Sequence, residues 1–167
     1  MSAIETSAAG PAGKSTHDVG EATRTLTLPQ LPYADAVHRE LLAVVMPPDT
    51  LEVGERRSKG LAELFMRAVW PVDSHILDEQ VCTHGLTLAW SHLTGWSAHD
   101  ADGNCQLLDV DELADPRFVA HAALHFAEEP LTGTPWTPPP GPARWSEAVY
   151  LDIALGLFDE RQGSDRP

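Results

Sequence analysis

Six of the eight histidines lie between His75 and His125, and both cysteines, Cys82 and Cys105, fall in the same stretch. On a helix, His75, Glu79 and Cys82 stand at i, i+4 and i+7. His121, His125 and Glu129 stand at i, i+4 and i+8, so each set shares one face. Two such faces turned toward each other offer imidazole, carboxylate and thiolate ligands for a divalent metal. The expected ligand set is His75, Glu79, His121 and His125. The pair His121 and His125 lacks the Glu that follows the first His in zinc proteases, and neither stretch carries the Glu-x-x-His of di-iron bundles. The competing reading makes the two histidines half-buried polar side chains, hydrogen-bonded to their neighbours.

Asp100, Asp102 and Asn104 occupy positions 1, 3 and 5 of a calcium loop, with Asp111 at position 12. Position 6, where such loops need glycine, is Cys105, and a plain hairpin turn accounts for the same residues. Cys82 reads as a buried structural thiol. Cys105 is the more accessible one, among acidic neighbours that disfavour its thiolate. Cys-x-x-Cys, Gly-rich phosphate loops and Gly-x-Ser-x-Gly elbows are all missing from the sequence. Trp136 stands in the rigid run Thr134-Pro135-Trp136-Thr137-Pro138-Pro139-Pro140. Such a residue either clamps onto its own domain or meets a partner.

Charge is the strongest compositional signal. The 167 residues carry a net charge of −14, and from Ala68 to Ala143 the only basic residue is Arg117. That stretch holds the carboxylates of Asp73, Asp78, Glu79, Asp100, Asp102, Asp109, Asp111, Glu112, Asp115, Glu128 and Glu129. Nucleic acid and anionic membranes require cationic groups, so direct binding of either is not expected. A basic protein surface or a divalent cation fits this charge; acidity that serves solubility alone explains it equally. Asp100, Asp102, Asp109, Asp111 and Trp136 are the candidate binding residues. The carboxylates are expected to pool on one side of the domain.

These side chains need elements to position them. Residues 1–28 carry no apolar periodicity and read as a disordered tail without a secretory signal, although Leu26-Thr27-Leu28 alternates briefly. The pattern predicts a helical domain over 29–163 and a disordered end at 164–167. Helices are expected at about Tyr33–Val45, Glu55–Val69 (starting nearer Ser58), Ser74–Thr94, Pro116–Glu129 and Ala143–Arg161. Gly85 inside the third either marks a close helix contact or breaks the helix. Trp96–Val110 reads as a loop or short hairpin, and Leu131–Pro142 as a Pro-rich connection. The sum is an all-α antiparallel or orthogonal bundle of about five helices, with the expected compartment cytoplasmic.

His121 to Glu129, followed by a later amphipathic helix, resembles the second half of alkylhydroperoxidase/carboxymuconolactone decarboxylase-like helical proteins. The paired cysteines that carry peroxidase activity in that family have no counterpart here, and the resemblance assigns no site residue. The sequence therefore points first to a small acidic interaction protein: an adaptor, assembly factor or inhibitor of a basic partner, with mimicry of nucleic acid as one variant. A metal-binding protein or metal-dependent enzyme comes second. A helical small-molecule binder with a pocket lined by Trp90 and Phe126 comes third.

Overall fold

The protein is described by a computed structural model over residues 28–164; residues 1–27 of the predicted N-terminal tail and the last three residues lie outside the described range, and Ser164, expected in the disordered end, closes the last helix. The chain runs α1 (Leu31–Ala43), β1 (Thr50–Ser58), β2 (Leu61–Trp70), α2 (Glu79–Cys82), β3 (Leu86–Ser91), β4 (Gly95–His99), β5 (Cys105–Leu107), α3 (Pro116–Glu128) and α4 (Ala148–Ser164). The five strands form one antiparallel sheet in the order β1-β2-β3-β4-β5. The expected all-α bundle is overturned: the second and third predicted helices are largely two β-hairpins.

The reason lies in a pattern that fits two periods. Leu61, Leu64, Phe65 and Ala68 are spaced as on a helix. Ala62, Leu64, Met66, Ala68 and Trp70 also alternate, and it is these that the structure buries on one sheet face. The turn decides between them. Lys59 and Gly60 have φ of 53° and 77°, the two left-handed residues that a tight type I′ hairpin requires. At Gly85, φ is +65°, and a Cβ there would lie 3.1 Å from the Val72 nitrogen. The predicted third helix breaks at this glycine, leaving only the single turn of α2 before β3.

Leu86, Leu88 and Trp90 of β3 and Trp96 and Ala98 of β4 continue the buried face. Register aligns Met66 with Trp90 and Trp90 with Trp96. The helices α1 and α3 pack together over this face, contributing Tyr33, Val37 and Leu41, and Phe118, Val119, Ala122 and Phe126. Both start as the sequence requires, with proline in the first turn. In α3 the Asp115 carboxylate caps the Arg117 N–H at 2.9 Å. Trp90 and Phe126 are each 1% exposed, so the pocket expected between them is filled core. With a sheet beneath α3, the likeness to helical decarboxylase-type proteins also falls away.

The Pro-rich segment after α3 turns back along that helix. His125 Nε2 bonds the Thr134 carbonyl at 2.9 Å, and Trp136 Nε1 donates to His121 Nδ1 at 2.9 Å. The strap then pairs with the segment before α3, where the Asp115 N–H donates to the Ala143 carbonyl and Ala114 bridges Arg144. That extended pairing is why α4 begins at Ala148, later than the predicted Ala143. Ala148 and Leu151 of α4 are buried, Leu155 and Phe158 half-buried.

Candidate functional site

Hydrogen bonds to backbone carbonyls gather three acidic segments at one end of the sheet. The Asp78 N–H donates to the Ala127 carbonyl at 2.8 Å, and Gln80 Nε2 donates to the Glu128 carbonyl at 2.5 Å. The Asp73 N–H donates to the Cys82 carbonyl, and the Ala101 N–H to the His84 carbonyl. Asp73, Asp78, Glu79, Asp100, Asp102, Glu128 and Glu129 therefore share the end where α3 stops, α2 sits and the β4–β5 turn folds over. All seven are at least partly exposed. Among the described residues, the arginine ion pairs form elsewhere: Arg56 with Glu63, Arg67 with Glu52, Arg117 with Asp115, and Arg144 with Asp111 and Asp152. At the anionic end His84 Nδ1 meets the Asp102 carboxylate.

The remaining carboxylates of the acidic stretch are held separately, which corrects the expectation of a single pool. Buried aromatic donors grip the backbone of residues 109–115 from behind. Trp90 Nε1 donates to the Glu112 carbonyl at 2.7 Å, and Tyr33 Oη to the Ala114 carbonyl at 2.7 Å while accepting from Trp96 Nε1 at 3.0 Å. With its carbonyls turned inward, this segment leaves Asp109, Asp111 and Glu112 exposed. Asp111 accepts the Leu113 N–H at 2.8 Å and meets Arg144 at 3.2 Å. Burial drives the Tyr33 phenol pKa far above its ordinary value, so the hydroxyl stays a donor at any working pH.

The residues predicted for metal do not converge. His75 is exposed in the loop before α2 and Glu79 opens α2, while His121 and His125 hold the strap. The i, i+4 histidines do share a face, but that face meets the Pro-rich segment. Among the described residues, no three His, Cys, Asp or Glu side chains come together to hold a metal ion. The calcium-like loop is a turn whose acid is already engaged. Asp100 Oδ1 accepts the Asp102 and Asn104 N–H groups at 3.0 Å each, and Oδ2 accepts Asn104 Nδ2 at 2.9 Å. Trp136, a predicted binding residue, is 6% exposed beneath the strap and is closed to a partner.

Sequence reasoning missed one buried polar network. Glu63 accepts Arg56 Nε at 2.6 Å and Ser91 Oγ at 2.5 Å, and Ser91 Oγ accepts the Leu93 N–H at 3.1 Å. His92 Nδ1 accepts the Leu64 N–H at 3.0 Å, which leaves Nε2 as donor to Asp159 at 3.1 Å. The bond from Arg56 holds the Glu63 carboxyl below its ordinary range. Ser91 points at Glu63 rather than at His92, so this is not a nucleophile–base relay. It ties the β3–β4 turn to β2 and to α4. On the open sheet face, His99 Nε2 meets Ser97 Oγ at 2.8 Å and lies 4.0 Å from Cys105 Sγ. Burial, then the nearby charge of Arg67, keeps His99 below its ordinary value and favours neutral imidazole.

No family model matches the chain, and no curated protein or solved structure shows significant similarity to it. Among the described residues, no helix is long and apolar enough to cross a membrane.

Proposed function

We propose that the protein is an acidic binding module for a cationic protein surface. The face it presents is the end formed by α2, the β4–β5 turn and the C-terminus of α3. The observation behind this reading is the pair Glu128 and Glu129 where α3 stops. The helix dipole already places about half a negative charge there, so each added carboxylate costs roughly 0.3–1 kcal/mol. Five more carboxylates crowd the same end, and the ion pairs of the arginines lie elsewhere. Local penalties of this kind persist where a function uses them. A basic partner relieves the repulsion on contact, which supplies both attraction and orientation.

The test uses a fluorescent decalysine peptide titrated with the full chain, from about 20 to about 300 mM salt. Binding should weaken steadily as salt rises. Replacing Glu79, Glu128 and Glu129 together with Gln should weaken it about fivefold at low salt, against under about twofold for Gln at Glu52, Glu55 and Glu160. Equal losses from the two triple variants, or binding indifferent to salt, would defeat the proposal.

A further inference from the structure

The strap from Thr134 to Pro142 lies along α3 and is tied down at both ends. The Gly133 N–H donates to the Pro130 carbonyl at 2.8 Å, and the Ala143 carbonyl accepts the Asp115 N–H at 3.0 Å. Between these ties five of the nine residues are prolines, which have no N–H to give, so the strap cannot join a ladder. Among the described residues, its middle is held by two hydrogen bonds, both to histidines of α3: His125 Nε2 with the Thr134 carbonyl and His121 Nδ1 with Trp136 Nε1. The two imidazoles face opposite proton demands. A carbonyl only accepts, so His125 must donate from Nε2, and it does so whether neutral or charged. An indole N–H only donates, so His121 must offer an unprotonated Nδ1.

We infer that His121 is a proton-operated latch: a proton taken up at Nδ1 releases Trp136, and the middle of the strap lifts from α3 while His125 and the two end ties hold. In imidazolium both ring nitrogens carry hydrogen, so the Nδ1 proton would meet the indole hydrogen head-on across 2.9 Å. Trp136 is 6% exposed, and its N–H is then shut away without an acceptor unless the side chain moves. His121 itself is exposed, so protons reach it with the strap closed. The strap from Leu131 to Ala143 has no titratable side chain. On α3, Arg117 stands one turn before His121, folded back on Asp115, and His125 one turn after. From α1, Arg39 and Glu40 line the cavity that Arg117 shares, and α2 sets Asp78 and Glu79 at the far end of α3. Among the described residues, no carboxylate pairs with His121 to hold its imidazolium in the closed pose. The closed strap therefore belongs to higher pH and is lost on acidification. Lifting it bares Trp136 together with Phe118, against which the strap lies at Gly141.

Nuclear magnetic resonance of the isotope-labelled full chain tests this, with Trp136→Phe and His121→Asn assigning the two signals. At about pH 8 the Trp136 indole should be rigid, with an order parameter of about 0.85, and at about pH 5 it should fall below about 0.6. The other four indoles should hold. In the parent chain the His121 ring and the Trp136 indole should change with one shared midpoint. His121→Asn puts an amide oxygen near the place of Nδ1, an acceptor that does not titrate, so Trp136 should stay rigid at both pH values. His125→Gln should leave the pH response in place. A Trp136 indole still rigid at about pH 5, separate midpoints for the two residues, or an undiminished response in His121→Asn overturns the inference. The result is independent of the anionic end: the Glu79, Glu128 and Glu129 variant should keep the response.

Discussion

Replacing Tyr33 with Phe isolates a single oxygen atom. The residue is 0% exposed, and its ring packs 4.9 Å from Trp145 and at steep angles to Trp90 and Trp96. Phe keeps that ring. What disappears is the hydroxyl that donates to the Ala114 carbonyl at 2.7 Å and accepts from Trp96 Nε1 at 3.0 Å. Both partners are buried and lose their bond, at roughly 1–2 kcal/mol for each neutral unsatisfied group, so the total loss is about 2–4 kcal/mol. With about 5–15 kcal/mol holding a domain of this size together, the variant should fold but unfold earlier. Urea denaturation followed by far-ultraviolet circular dichroism gives the difference, and the slope should stay constant while the midpoint falls by about 1–2 M. Trp96→Phe removes the donor together with part of a buried ring, so it costs a cavity as well as the bond. In the double variant the two losses should fail to add, because they share a bond. A loss below about 0.5 kcal/mol for Tyr33→Phe, or strict additivity with Trp96→Phe, would show that the hydroxyl does not bridge these groups as described.

Two further outcomes follow from the same reasoning. Gly85→Ala should destabilise by about 1–3 kcal/mol, since φ is +65° and the new Cβ would press on the Val72 nitrogen and the Trp70 carbonyl; thermal melts measure it, and an unchanged melting temperature would contradict the turn geometry. Stability should also fall as the medium is acidified. His99 is held below its ordinary value of 6.5, so the unfolded chain takes up that proton first and stability drains away below about 6.5. Glu63, with Arg56 and Ser91 on its carboxylate, is held below 4.5, so its contribution survives above that value and is lost on further acidification. His99→Gln should flatten the upper part of this pH profile and Glu63→Gln the lower part; profiles that stay parallel to the parent would refute the assignments.

The helices that survive are those whose ends carry chemical signals. Asp115 followed by Pro116 marks the start of α3, and the predicted Pro116–Glu129 differs from the observed end by one residue. The hairpins were hidden because their residues serve two periods at once. Leu, Ala, Met and Glu in β2 are good helix formers, and sheet pairing overrode that preference. The turn at Lys59 and Gly60 was the signal that separates the two readings, and it lies near the start of the predicted helix. The extended alternative for Trp96–Val110 was legible because Asp100, Asp102 and Asn104 announce a turn. At the candidate site, the acidic composition was readable but its division into two groups was not. That division depends on which backbone groups Trp90 and Tyr33 reach across the fold. The histidines at 121 and 125 were correctly placed on one face, but nothing local says that the face is occupied by the chain's own strap.

Among the described residues, the strand β1 has a neighbour on only one side. Over nine residues its other margin exposes a row of amide groups able to accept a further strand, which is how sheets grow into aggregates. The run Glu55-Arg56-Arg57 sits along that margin, and Arg56 is anchored by its bond to Glu63 and by its stack on the Phe65 ring at 4.9 Å. In a chain so poor in cations, two arginines spent here guard the sheet against growth by strand addition.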